Sequence, residues 1–251
     1  MILRQIIIPL ISALLILSFF SAVADTGRDT ATDLAKAQDR TRSVEDRLDA
    51  IRTMGQSGDE RNSGPLLRML RDKGEERRVR AGAVITLAES GKPREKIIEA
   101  YEEVYRDRKT GENLRYTILL SLGTLKATES QALLAEALSG DDDRIRFKAA
   151  QALGMIGGDD AVNLLVSRLE LERDRMVRAQ IVRALGRNET APVEGVLVWV
   201  LKTDPEPLVR YNAALSLVQF KSLGAEGREA LRVAREDPSP MVRKGAQEAG
   251  R

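Results

Sequence analysis

The chain has 251 residues, with 40 Lys and Arg against 38 Asp and Glu for a formal charge of +2, and contains neither cysteine nor histidine. Without thiols or imidazoles there is no disulfide staple, no thiol nucleophile, no histidine-based triad and no cysteine- or histidine-ligated metal. The near-neutral balance favours no polyanionic partner, so nucleic acid is not expected.

Arg4 precedes an almost continuously apolar run from Ile6 to Phe20, and Ala22-Val23-Ala24 follows with the small residues of a cleavage site. This pattern predicts a signal peptide over 1–24 and a periplasmic or secreted mature protein. About 15 apolar residues is short for a bilayer span, which takes roughly 20, so no stable membrane span is expected after removal. Residues 25–43 read as a polar N-terminal segment and cap, loose over Asp25 to Asp33 and with an imperfect first helix over Leu34 to Arg42.

From residue 44 to 251 the pattern becomes periodic. Leu48, Ile51 and Met54 recur at intervals of three and place one apolar face on a helix that Gly55 can end. Helix pairs are then expected at Pro65 to Leu70 with Val79 to Ala88, Glu95 to Tyr105 with Leu114 to Leu122, and Glu129 to Leu138 with Ile145 to Leu153. They continue at Ala161 to Leu169 with Met176 to Leu185, Val193 to Leu201 with Leu208 to Val218, and Gly227 to Ala234 with Met241 to Ala249. Thr128 and Gln131 suggest a capping box at the helix beginning at Glu129, and Trp199 reads as internal. Lys244, Gln247 and Glu248 suggest a polar cap on the last turn.

An arginine returns once per pair, at Arg47, Arg80, Arg115, Arg146, Arg178, Arg210 and Arg243, with intervals of 33, 35, 31, 32, 32 and 33 residues. A repeat of that length is the mark of a stacked array, and here it predicts a right-handed, all-α solenoid of about six full helix pairs and an incomplete terminal unit. Glu76, Asp142, Asp174 and Glu206 stand four residues before Arg80, Arg146, Arg178 and Arg210, and Asp204 and Asp237 stand six before Arg210 and Arg243. An acid at a helix start can accept free amides, while arginine can fork between carboxylates or carbonyls of adjacent repeats. The arginines and these acids are therefore expected to form a structural ladder.

The phrase is clearest as Asp142, Ile145-Arg146, Ala149-Ala150 and Leu153-Gly154. It recurs as Asp174, Val177-Arg178, Ile181 and Leu185-Gly186, and as Val209-Arg210, Ala213-Ala214 and Leu217. It resembles the HEAT-like repeats of the phycobilisome-lyase type over about 200 residues. The resemblance implies an α-solenoid, and for most members scaffolding or partner binding. Some relatives attach or remove bilins, and another branch holds iron with histidine and glutamate, which a chain without histidine cannot do.

Asp141-Asp142-Asp143 and Asp159-Asp160 read as helix starts; neither has calcium-loop spacing, and the nearby glycines lack the lysine of a phosphate loop. No cofactor, metal or catalytic constellation is expected. The expected function is a non-enzymatic protein- or peptide-binding scaffold or adaptor in the cell envelope; the alternative is an envelope-associated enzyme or lyase-like protein using carboxylates. The candidate partner strip lies two and five residues after the ladder arginines, at Lys148, Gln151, Gln180, Arg183 and Asn212.

Overall fold

The computed structural model describes residues 30–247; the expected signal segment, Asp25 to Asp29 of the loose segment, and Glu248 and Ala249 of the last expected helix lie outside them. The described residues form an all-α solenoid of 14 paired helices. They are α1 (Thr30–Gln38), α2 (Val44–Gln56), α3 (Ser63–Arg71), α4 (Arg77–Ser90), α5 (Arg94–Arg106), α6 (Glu112–Thr124) and α7 (Gln131–Ser139), then α8 (Asp143–Ile156), α9 (Gly158–Leu171), α10 (Arg175–Leu185), α11 (Ala191–Thr203), α12 (Pro207–Val218), α13 (Ala225–Ala234) and α14 (Pro240–Gln247).

Several helices begin before their first apolar residue because an acid sets the start. Glu76 accepts the amides of Arg78 and Val79, Asp142 those of Arg144 and Ile145, and Asp174 those of Met176 and Val177. Each carboxylate satisfies amides that the helix itself leaves open. Glu206 precedes α12 without such a bond. Thr128 does not cap a helix either: it opens a short 3-10 turn, Thr128–Ser130, and α7 follows from Gln131. The first helix lies four residues earlier than its apolar residues suggest, ending at Gln38, where Asp39 turns the chain by accepting the amide of Thr41.

One continuous core runs the length of the stack, with Ile51, Leu87, Ile118, Leu153, Ile181 and Leu217 at most 1% exposed. Each pair buries its apolar faces between its neighbours, so the core is made of local contacts repeated along one direction. The even-numbered helices pack broadly on one another, while consecutive odd-numbered helices touch more sparingly. Small residues permit the close row. A Cβ on Gly154 would lie 2.6 Å from Cβ of Ala184, and one on Gly186 would lie 2.4 Å from Cβ of Ser216. A stack that is tighter along one row curves toward it, which puts the even helices on the inner side.

Candidate functional site

The inner side is bordered along one edge by the starts of the even helices, where the arginines meet their partners. Arg146 donates from Nε and Nη2 to the two oxygens of Glu172 at 2.8 and 3.1 Å, and from Nη1 to the carbonyls of Gly140 and Asp141. Arg178 forks onto Asp204 at 3.1 and 3.2 Å, and Arg210 onto Asp237 at 2.9 Å through both nitrogens. At the other end of the stack, Arg47 forks onto Glu75 at 2.9 and 2.7 Å. In every case the acid lies 26 to 28 residues later, so each rung ties one helix pair to the next.

The acids four residues before each arginine therefore do one job and a second set does another. Glu76, Asp142 and Asp174 cap helices; Glu75, Glu172, Asp204 and Asp237 take the guanidinium groups. Glu206 does neither, and approaches Arg175 at 3.9 Å. Glu75 and Glu172 escape a search that starts from the acid nearest each arginine. The signal for Glu172 is the same spacing of six that marks Asp204 and Asp237.

Burial works against the charge of Glu172, but bonds from Arg146, the Asp174 amide and Arg168 outweigh it and hold the carboxyl at about 2. Asp237 shows the same opposition, burial raising and the Arg210 bonds lowering its pKa to a net value below the ordinary one. Arg146 is correspondingly raised, first by its bonds to Glu172.

Two rungs in the middle are incomplete. Six residues before Arg115 stands Lys109, and six before Arg146 stands Gly140. Arg80, 8% exposed, gives its Nε to the Leu70 carbonyl, while Asp107, in the right register, is held by Lys73 at 2.7 Å. Burial pushes the Arg80 guanidinium pKa down, with Asp107 and Asp72 opposing. Arg115 lies 5.7 Å from the centre of the Tyr105 ring and bonds the Asp107 carbonyl, and its buried Nε has no hydrogen-bond partner among the described residues. Among the described residues the last arginine, Arg243, reaches only the carbonyls of Asp237 and Pro238.

The candidate partner strip is not one exposed row. Gln180 and Asn212 are buried, at 6% and 8% exposure, although the equivalent Asp49 is exposed and Lys148 half-buried; Asn212 also bonds the Leu208 carbonyl. Lys148 and Gln151 are half-buried and Arg183 is exposed. Lys148 lies over the Phe147 ring at 5.6 Å. Tyr116, Phe147 and Tyr211, each following a ladder arginine, pack partly against the core. The accessible inner surface adds Leu120, Met155 and Leu215, all half-exposed.

Trp199 corrects the reading that made it internal: it is 55% exposed. It lies on the side of α11 that faces α9, where the odd helices separate, and lines a groove of about 640 Å³ with Val166, Leu169, Pro192 and Val196. Asp141 and Asp143 line an open depression that also holds Arg144, Arg146 and Arg173. Among the described residues no group of three or more Asp and Glu side chains is placed to hold a metal ion, and no helix is long and apolar enough to cross a membrane.

An α-solenoid built from such pairs, with a guanidinium–carboxylate ladder between repeats, is a HEAT-repeat architecture. Residues 98–186 match the family model for HEAT repeats, and the chain has a HEAT-repeat fold. An 80-residue stretch is 39% identical to a HEAT repeat-containing taxis protein of Halobacterium salinarum, covering 32% of this chain and 20% of that protein. The chain thus spans about a fifth of the length of that relative. The complex of CpcE and CpcF of phycocyanin lyase from Nostoc superposes with a TM-score of 0.52 at 17% identity, over 90% of this chain and 96% of that one; the likeness is one of fold.

Proposed function

We propose that this chain is a non-enzymatic scaffold or adaptor that holds a protein or peptide on the inner surface of its even helices. The observation that carries the reading is the character of that surface. Half-exposed Leu120, Met155 and Leu215 alternate with accessible Lys148, Gln151 and Arg183 across successive repeats. An extended face built from many modest contacts suits a macromolecule, because binding energy gathers over several repeats instead of one enclosed centre. Placement in the cell envelope, periplasmic or secreted, rests on Arg4, the apolar run Ile6 to Phe20 and Ala22-Val23-Ala24.

Proximity labelling in the native cell envelope, followed by binding measurements with the purified partner, tests this reading. The expected result is a reproducible partner whose affinity falls when Lys148 and Arg183 are both changed to glutamate in a protein that still melts normally. Turnover of an envelope substrate that is lost on carboxylate substitution, without any such partner, would replace the scaffold with an enzyme.

A further inference from the structure

The outer side of the solenoid carries a surface that the inner-face reading does not use. Along the outer row α7 touches α9 and α11 touches α13, but α9 and α11 barely meet. The groove of about 640 Å³ between them is walled by Val166, Leu169 and Val196, with Trp199 standing along it. A Cβ on Gly195 would meet nothing within 4 Å, so the backbone of α11 is itself open to the groove. Trp199 is the sole tryptophan of the sequence. Its exposure leaves a large apolar ring in water beside aliphatic neighbours, the kind of patch that marks contact with another molecule.

One ionisable group lines this groove, the carboxylate of Glu170. It is exposed, and among the described residues it meets no cation and no hydrogen-bond donor. The cations close to these two residues in the chain are engaged elsewhere: Arg168 pairs with Glu172 at 2.8 Å and Lys202 with Glu226 at 3.3 Å. Arg173 lines a different depression, beside Asp141 and Asp174. Among the described residues no cation covers the Trp199 ring either; the cation–ring contacts fall on Tyr105 and Phe147. An open aromatic face and an uncompensated carboxylate thus share one apolar groove.

We propose that the groove between α9 and α11 binds a protein segment through an arginine side chain flanked by apolar residues. A guanidinium matches both features at once, because it stacks on an aromatic face and forks onto a carboxylate. Its methylene stem lies along aliphatic walls such as those of Val166, Leu169 and Val196 while the charged head stays at the rim. The same pairing joins the repeats at Arg146 and Glu172; here the carboxylate is offered outward. An acidic segment or a nucleic acid would bring its anions against Glu170, and a purely apolar one would cover that carboxylate without neutralising it. The groove lies on the side opposite the inner face, so its occupation does not depend on a partner there.

The purified protein reports on the groove by itself, since Trp199 supplies all of its tryptophan emission. The probe is an acetylated and amidated peptide with one arginine between two leucines and glycine elsewhere. The same peptide with glutamate or norleucine in place of arginine serves as comparison. The arginine peptide should move the emission to shorter wavelength and protect it from acrylamide, with an affinity roughly tenfold above that of either counterpart. Glu170→Gln should weaken that affinity roughly threefold or more. Gly195→Leu, which fills the groove at a helical position open to a side chain, should abolish binding. Glu99→Gln, at an exposed carboxylate of α5 outside the groove, should leave it unchanged. Circular dichroism melting of the three variants separates loss of binding from loss of fold. Emission that does not respond to the arginine peptide, equal binding of either counterpart, or binding indifferent to Glu170→Gln or to Gly195→Leu would overturn the proposal.

Discussion

Glu172, the first residue past α9, receives Arg146 of the preceding helix pair through two parallel bonds and also accepts the amides of Arg173 and Asp174. One carboxylate thereby closes a turn and joins two repeats. Its side chain is 1% exposed and Arg168 pairs with it as well, so neither solvent screening nor side-chain motion weakens the arrangement as it would at the surface.

Replacing Arg146 with alanine should lower stability by about 1–3 kcal/mol, since the change removes charge-assisted bonds and leaves the Gly140 and Asp141 carbonyls with fewer donors. Arg168 remains to neutralise Glu172 and keeps the loss from growing larger. Lysine at 146 should recover little, because an ammonium cannot fork. The same change at Arg243, which among the described residues meets only carbonyls, should cost less than about 1 kcal/mol. Thermal or denaturant unfolding of the three variants measures the differences, and an Arg146→Ala protein that melts like the parent would remove the ladder as a source of stability.

The ladder should also make stability depend on acid. The Glu172 carboxyl is held at about 2 in the folded chain against an ordinary 4.5, so as pH falls the unfolded chain takes up its proton first. The contribution is complete above about pH 4.5 and disappears as pH falls through about 2. At full expression the shift corresponds to roughly 3 kcal/mol. Glu172→Gln should therefore be less stable than the parent at neutral pH, with the gap closing between about pH 5 and 2. Urea titrations at several pH values test this, and a gap that stays constant across that window would rule out the carboxylate charge as its origin.

Gly140 marks the place where a rung can be added. Its backbone has φ −67 and ψ 167, open to any residue, and a Cβ there would meet nothing closer than 3.6 Å. Gly140→Glu should stabilise the protein relative to Gly140→Gln by about 1 kcal/mol, since both substitutions restrict the unfolded chain but only glutamate can pair with Arg115. The difference should vanish when Arg115 is changed to methionine. A double-mutant cycle reads the coupling directly; glutamate and glutamine variants of equal stability would show that the carboxylate does not reach Arg115.

Two helical glycines should respond to alanine with opposite signs. At Gly154 the new methyl group would lie 2.8 Å from Cα of Ala184, a backbone atom that cannot turn aside; α8 and α10 must separate, at a cost of about 1–3 kcal/mol. At Gly195 nothing lies within 4 Å, and Gly195→Ala should gain about 0.5–1 kcal/mol from helix propensity alone. Melting temperatures that shift in the same direction would contradict the close even-helix row.

Much of the architecture is legible locally. A solenoid repeats one unit, so the apolar spacing of Leu48, Ile51 and Met54 and the recurrence of an arginine about every 32 residues suffice to place the helices, and the acids before Arg80, Arg146 and Arg178 mark where three of them start. Which residues meet across repeats is less legible. The acid nearest each arginine in the chain is a cap, and its guanidinium partner comes from the next pair.

Exposure proved hardest to read from order alone. Gln180 and Asn212 are polar yet buried, and Trp199 is apolar yet exposed, because each lies on a helix side whose environment is set by the spacing to another repeat. Helical periodicity assigns a residue to a side of its own helix; it does not say how near the next helix stands. By itself the sequence determined the helices, their pairing and the repeat, since these follow from neighbours within about four residues and from one recurring length. Only the tertiary structure decided which carboxylate closes each rung and why Arg80 and Arg115 lack one among the described residues, because those outcomes depend on distances between segments some 26 residues apart.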